Sequence, residues 1–94
     1  MIEQKETIIK LLTALFPAAK IYLFGSRARG DFKPSSDIDI ALDVGYKLSF
    51  LDLAKAHNVL EALYIPQKID IVDMQSIPEE MKKVILKEGI VWQS

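Results

Sequence analysis

Gly25-Ser26-Arg27-Ala28-Arg29-Gly30-Asp31-Phe32-Lys33-Pro34-Ser35-Ser36-Asp37-Ile38-Asp39 lies between an apolar run, Ile21-Tyr22-Leu23-Phe24, and a second run into which Asp37 and Asp39 are set. The first run, short, continuous and ended by a glycine, predicts a buried strand. Residues 26–30 predict one helical turn, and 31–36, with Pro34, a loop. From 37 to 43 the pattern alternates. Asp37, Asp39, Ala41 and Asp43 fall on one side and Ile38, Ile40 and Leu42 on the other, as in a half-buried strand.

Working outward, residues 2–16 predict an amphipathic helix with Ile8, Leu12 and Leu15 near one side, stopped by Pro17. Ser49 followed by Asp52 predicts a capped helix that ends near Tyr64 before Pro66, with Phe50, Leu53, Leu60 and Leu63 available to the core. Ile69–Val72 alternates around Asp70 and predicts a third strand. Ser76-Ile77-Pro78-Glu79 has the form of a capping box, Gly89 closes that last helix, and Ile90-Val91-Trp92 predicts a short final strand. The order α-β-turn-β-α-β-α-β predicts an α/β (α+β) domain: a small mixed sheet with helices packed mainly on one face. Residues 1–94 are expected to form a single domain.

Composition narrows the function. The net charge of −1 gives no basic field for nucleic acid, so none is expected as a direct partner. The chain has no cysteine, which excludes disulfides, thiol nucleophiles and thiolate zinc sites. No apolar run approaches membrane-spanning length, and the N-terminus, with Glu3, Lys5 and Glu6, lacks the core of a signal peptide. A cytoplasmic domain without membrane contact is the expectation.

The chemistry resides in the aspartates and the Gly-Ser pair. Residues i and i+2 of a strand share a face, so Asp37 and Asp39 project together about 6.5–7 Å apart. Two carboxylates on one patch repel unless a cation joins them, and magnesium favours one or two carboxylates plus substrate phosphates. If the strand of Asp70 pairs beside residues 37–43 with apolar faces aligned, Asp70 joins the acidic face at a cross-strand spacing of roughly 4.5–5.5 Å. Three such groups can hold two metal ions for phosphoryl displacement. Any single aspartate fits the wet face of a sheet equally well. Asp is depleted from strands, however, and three of one polarity are harder to explain that way.

Gly25 allows close backbone approach to a ligand. The turn at Ser26 offers N–H groups and a hydroxyl to an anion. Arg27 and Arg29 could add charge-assisted bonds to phosphate or serve as solvated surface groups. A P-loop is excluded, because Asp31-Phe32 follows Gly30 where Lys and Ser/Thr are required. A dinucleotide fingerprint is excluded by the missing second glycine. His57, mid-helix, is expected to be structural, Asp43 solvated at a strand end, and Asp73 of opposite parity to Asp70.

Gly25-Ser26, ten residues, and Asp37-Ile38-Asp39 together resemble the signature of the polymerase-beta-like nucleotidyltransferase superfamily. The Gly-Ser-Arg-Ala-Arg-Gly-Asp and Ser-Asp-Ile-Asp-Ile-Ala runs look like its minimal nucleotidyltransferase (MNT) branch. The resemblance implies that Gly25 and Ser26 hold nucleotide phosphates and that Asp37, Asp39 and Asp70 bind two Mg2+ ions, Asp70 being the third carboxylate. It further implies ATP as substrate and AMP transfer to a tyrosine of a HEPN ribonuclease toxin, as in the antitoxins of HEPN–MNT pairs. The lack of a second, acceptor-reading domain in the sequence fits a partner protein that is itself the acceptor. Two other readings stand beside this one: a non-catalytic antitoxin that occludes its toxin, and the catalytic subunit of a small-molecule transferase.

Overall fold

The computed structural model describes residues 4–94. Helix α1 (Lys5–Leu15) buries Ile8 and Leu12, one turn apart, and the Phe16 amide closes it by donating to the Leu12 carbonyl at 2.8 Å. The expected start at residue 2 lies outside the described residues. Strand β1 (Lys20–Phe24) leads through Gly25 into a single helical turn, α2 (Ser26–Arg29), and a loop then delivers strand β2 (Ile38–Asp43). Asp37, expected inside β2, stands one residue before it.

Helix α3 (Phe50–Glu61) opens on the expected capping box. The Asp52 amide donates to Ser49 Oγ at 3.1 Å, and the Ser49 amide donates to Asp52 Oδ2 at 3.4 Å. Ala56 and Leu60 carry its buried stripe, whereas Phe50, expected to face the core, is 84% exposed. Phe50 begins the first turn, and Leu53, at the end of that turn, packs against the core instead. The helix stops at Glu61, short of Tyr64, which adopts a left-handed φ of 52° in the turn that follows.

Strand β3 (Ile69–Asp73), helix α4 (Glu79–Glu88) and strand β4 (Ile90–Gln93) complete the chain. The capping box expected at Ser76 does not form. Pro78 occupies the cap position without a side-chain bond, and Ser76 Oγ donates instead to Asp73 Oδ2 at 2.7 Å. Gly89 ends α4 with φ −70°, and a Cβ there would run into the Ile85 carbonyl. Close approach, not a left-handed turn, is what requires glycine at this point.

The sheet order is β3-β2-β1-β4. β1 runs antiparallel to β2 and β4, while β3 is parallel to β2, as a helical crossover through α3 demands. The odd residues of β1 and β3 and the even residues of β2 share one face. Ile21, Leu23, Ile38, Ile40, Leu42 and Ile71 pack there against Ile8 and Leu12 of α1 and Ala56 and Leu60 of α3. On the other face Ile85 of α4 packs with Ala41 and Met74 beside Tyr22, Phe24 and Val72. The helices therefore lie mainly on one face, and α4 covers part of the second. The end of that second face carrying Asp39 and Asp70 is where β1 finishes and β2 and β3 begin.

Candidate active site

The parallel register pairs Asp39 with Asp70 directly, with Ile38 beside Ile69 and Ile40 beside Ile71. This is the register that aligns the apolar faces, because a slip of one residue would turn every isoleucine of β3 outward. Hydrophobic pairing on the core side thus forces two carboxylates together on the other. Asp37 adds a third charge from the end of the loop.

The Asp39 carboxyl is held above its ordinary value, first by burial and then by the negative charges of Asp70 and Asp37, with Arg29 pulling it partly back. Lys68 also answers the acidic charge, its Nζ lying 3.5 Å from Asp70 Oδ1. Among the described residues no three acidic, histidine or cysteine side chains converge to metal-ligand spacing. The carboxylates are close enough to repel, not drawn together as a finished cage. The donor set consists of carboxylate oxygens alone, on side chains that are not fully buried. It fits a hard divalent cation, whose charge would relieve the repulsion at Asp39.

Gly25 joins the α2 turn to this acid cluster. Its backbone, φ 74° and ψ −155°, lies in a region essentially reserved for glycine. A Cβ there would overlap the Asp39 carboxylate. The Gly25 carbonyl accepts from the amides of Ala28 and Arg29, both at 3.1 Å, which sets Ser26 and Arg27 in the first turn of α2. First-turn amides of a helix have no partner within it, so this turn presents donors beside Asp39.

The two arginines separate. Arg27 Nε and Nη2 donate to the Ser36 carbonyl at 3.3 and 3.1 Å, and Nη2 donates also to the Pro34 carbonyl at 3.2 Å. Its guanidinium carbon lies 4.7 Å from the centre of the Phe32 ring. Arg27 thus braces the loop that aims Asp37 and Asp39, and in this arrangement it is not turned to phosphate. Arg29 makes an exposed pair with Asp31 at 3.4 Å and acts on Asp39 through its charge.

Asp73, of opposite parity to Asp70, is the one buried charged residue among the described residues, at 3% exposure. It accepts from the Leu48 amide at 2.8 Å, the Gln75 amide at 3.0 Å and the Ser76 hydroxyl at 2.7 Å. Its role is to tie the two loops at the far end of the sheet. Its opposite parity to Asp70 was the available signal. Asp43 accepts from the Gly45 amide at 3.0 Å and from Gln75 Nε2 at 2.9 Å, a turn-forming role remote from the Asp39–Asp70 pair.

Similarity to known proteins agrees with this geometry. The family model described as polymerase beta, nucleotidyltransferase matches residues 6–93. A protein adenylyltransferase MntA from Thermococcus cleftensis is 33% identical over 93 residues, covering 95% of this chain and 93% of that protein. Among solved structures, a toxin–antitoxin complex with AMP-PNP superposes with a TM-score of 0.83 at 28% identity, over 96% of this chain and 73% of that one. A tri-AMPylated Shewanella oneidensis HEPN toxin in complex with its MNT antitoxin gives a TM-score of 0.76 at 26% identity, over 97% and 70% of the two chains.

Proposed function

The chain belongs to the polymerase beta nucleotidyltransferase family, and from that premise we propose that it is a protein adenylyltransferase that transfers AMP from ATP to a tyrosine hydroxyl of a HEPN toxin, acting as the antitoxin of the pair. The observation that carries this reading is the contact between Gly25 and Asp39 together with the Asp39–Asp70 register. Their proximity supports reading the turn and the carboxylate pair as one site. The likeness to the protein adenylyltransferase and to the two toxin–antitoxin complexes supplies the acceptor class.

In this reading Gly25 and the first turn of α2 hold the triphosphate, with Ser26 supplying a hydroxyl and Arg29 a cationic charge. Asp37, Asp39 and Asp70 hold two Mg2+ ions, whose charge neutralises phosphate and polarises the α-phosphorus when bound. Asp70, nearest the sheet edge, orients the incoming hydroxyl and accepts its proton. The hydroxyl oxygen forms a bond to the α-phosphorus, and the bond to the bridging oxygen of pyrophosphate breaks. Positioning and charge neutralisation carry most of the rate. Residues 1–94 act as a single nucleotidyltransferase domain, and the reaction is cytoplasmic, where ATP and HEPN ribonucleases meet.

The test is incubation with ATP, Mg2+ and the HEPN partner, followed by intact-mass measurement. An AMP-sized addition on a partner tyrosine, lost in Asp39→Asn, is expected. If no adduct forms and Asp39→Asn still neutralises the toxin, the protein works by occlusion and this reading fails.

A further inference from the structure

Lys68 stands one residue before β3 and two before Asp70, the spacing that sends two side chains to one face of a strand. Its carbonyl accepts from the Ile38 amide at 2.8 Å, which fixes its backbone beside the peptide that links Asp37 to β2. Its Nζ lies 3.5 Å from Asp70 Oδ1, and among the described residues it is the one cation in an ion pair with Asp37, Asp39 or Asp70. Arg29 pairs with Asp31 instead. Lys68 also lines a cavity of about 380 Å³ beneath α3, with His57, Leu60 and Ile69, but its ammonium is turned to the acid face.

An ammonium and a hard divalent cation seek the same carboxylate oxygen. Mg2+ binds such an oxygen at about 2.0–2.1 Å. An ammonium kept at its present place would then stand close to a doubly charged ion, and their repulsion would outweigh the small gain of an exposed ion pair. One of the two must leave. The lysine is free to do so, because its side chain is 71% exposed and carries its charge on a flexible four-carbon stem.

We propose that Lys68 is a resident competitor of the metal at Asp70: its ammonium neutralises part of the acid face in the metal-free chain, and a divalent cation binds there by displacing it. The inference rests on the metal placement in the transferase reading above. Lys68 touches no reacting atom in this role and acts through Asp70. Its consequence is a weaker hold on divalent cation in the nucleotide-free chain than the three carboxylates would otherwise have.

The test is titration of the full chain with Mn2+ in the absence of nucleotide, the free ion being counted by electron paramagnetic resonance. Lys68→Met is compared with the unsubstituted chain and with Lys20→Met, which removes the same charge at the far end of the sheet, opposite Asp43. Because the pair is exposed, its loss is expected to tighten Mn2+ binding by about two- to fivefold, while Lys20→Met binds as the unsubstituted chain does. Lys68→Gln takes the place of Lys68→Met if that variant does not fold. Affinity in the Lys68 variant no higher than in Lys20→Met overturns the proposal, and so does absence of Mn2+ binding from both. AMP transfer to the HEPN partner is assayed separately with the unsubstituted chain. Tighter binding in the variant without any transfer would leave this inference standing and count against the transferase reading, and transfer with unchanged affinity would do the reverse.

Discussion

Asp39 carries a conflict between folding and chemistry. Its carboxyl is pushed above the ordinary range by burial, Asp70 and Asp37, so its ionised form is disfavoured in the folded chain. Below about pH 4 the protonated group imposes no penalty, and as pH rises through its raised value the charge lowers stability. Metal-free Asp39→Asn is therefore expected to melt above the unsubstituted chain at neutral pH, with the gap closing on acidification, as followed by circular dichroism. Its transferase activity should fall by about a hundredfold or more. Gly25→Ala should cost about 1–3 kcal/mol through backbone strain, and more through overlap with the Asp39 carboxylate, lowering Tm and ATP-analogue affinity together. Asp73 behaves differently. Asp73→Ala leaves the Leu48 amide and the Ser76 hydroxyl without their partner and should cost about 2–4 kcal/mol in denaturant melts, while ATP-analogue affinity of the folded variant is retained. Periodicity located Asp39 and Asp70 because a polar residue alternating with isoleucine leaves a trace in the sequence. Asp73 left only a parity, since its three donors come from loops whose paths are set by packing.

At the level of elements, the α2–β2 loop shows where pattern reading stops. Gly-Ser after an apolar run was legible as a strand end and a turn. The part played by Arg27 was not, because the carbonyls of Pro34 and Ser36 meet its guanidinium only once the loop has folded back. Arg27→Met should accelerate amide exchange over residues 31–36 and cost about 1–2 kcal/mol, with a rise in the KM for ATP as Asp37 loses its fixed approach. Cap chemistry divided in the same way. Ser49 and Asp52 formed their box because nothing competed for them. Ser76 instead donates its hydroxyl to the buried Asp73 carboxylate, a charge-assisted bond stronger than the neutral one it would accept from an amide of α4. Phe50 stands at a spacing that suits either side of a first turn, and it is exposed where Ala56 and Leu60 carry the buried stripe of α3.

At the scale of the whole molecule, one parallel pairing converts a folding requirement into a site. Ile38, Ile40, Ile69 and Ile71 need a common face against α1 and α3, and meeting that need sets Asp39 beside Asp70. Cation binding should therefore stabilise the entire fold by mass action. Mg2+ is expected to raise Tm of the unsubstituted chain and to leave Tm of Asp39→Asn/Asp70→Asn unmoved, as read by thermal melts with and without chelator. Among the described residues no helix is long and apolar enough to cross a membrane. The sequence by itself determined the order of elements, the alternation that separates core face from acid face, and the three aspartates with their Gly-Ser partner. These are local matters, fixed by side-chain periodicity and turn chemistry over a few residues. Tertiary structure alone decided that β3 pairs parallel to β2 at the edge, that Gly25 touches Asp39, that Arg27 braces a loop, and that a cavity opens beside Lys68. Each depends on how separate elements dock, which is set by the summed burial of side chains distant in the chain.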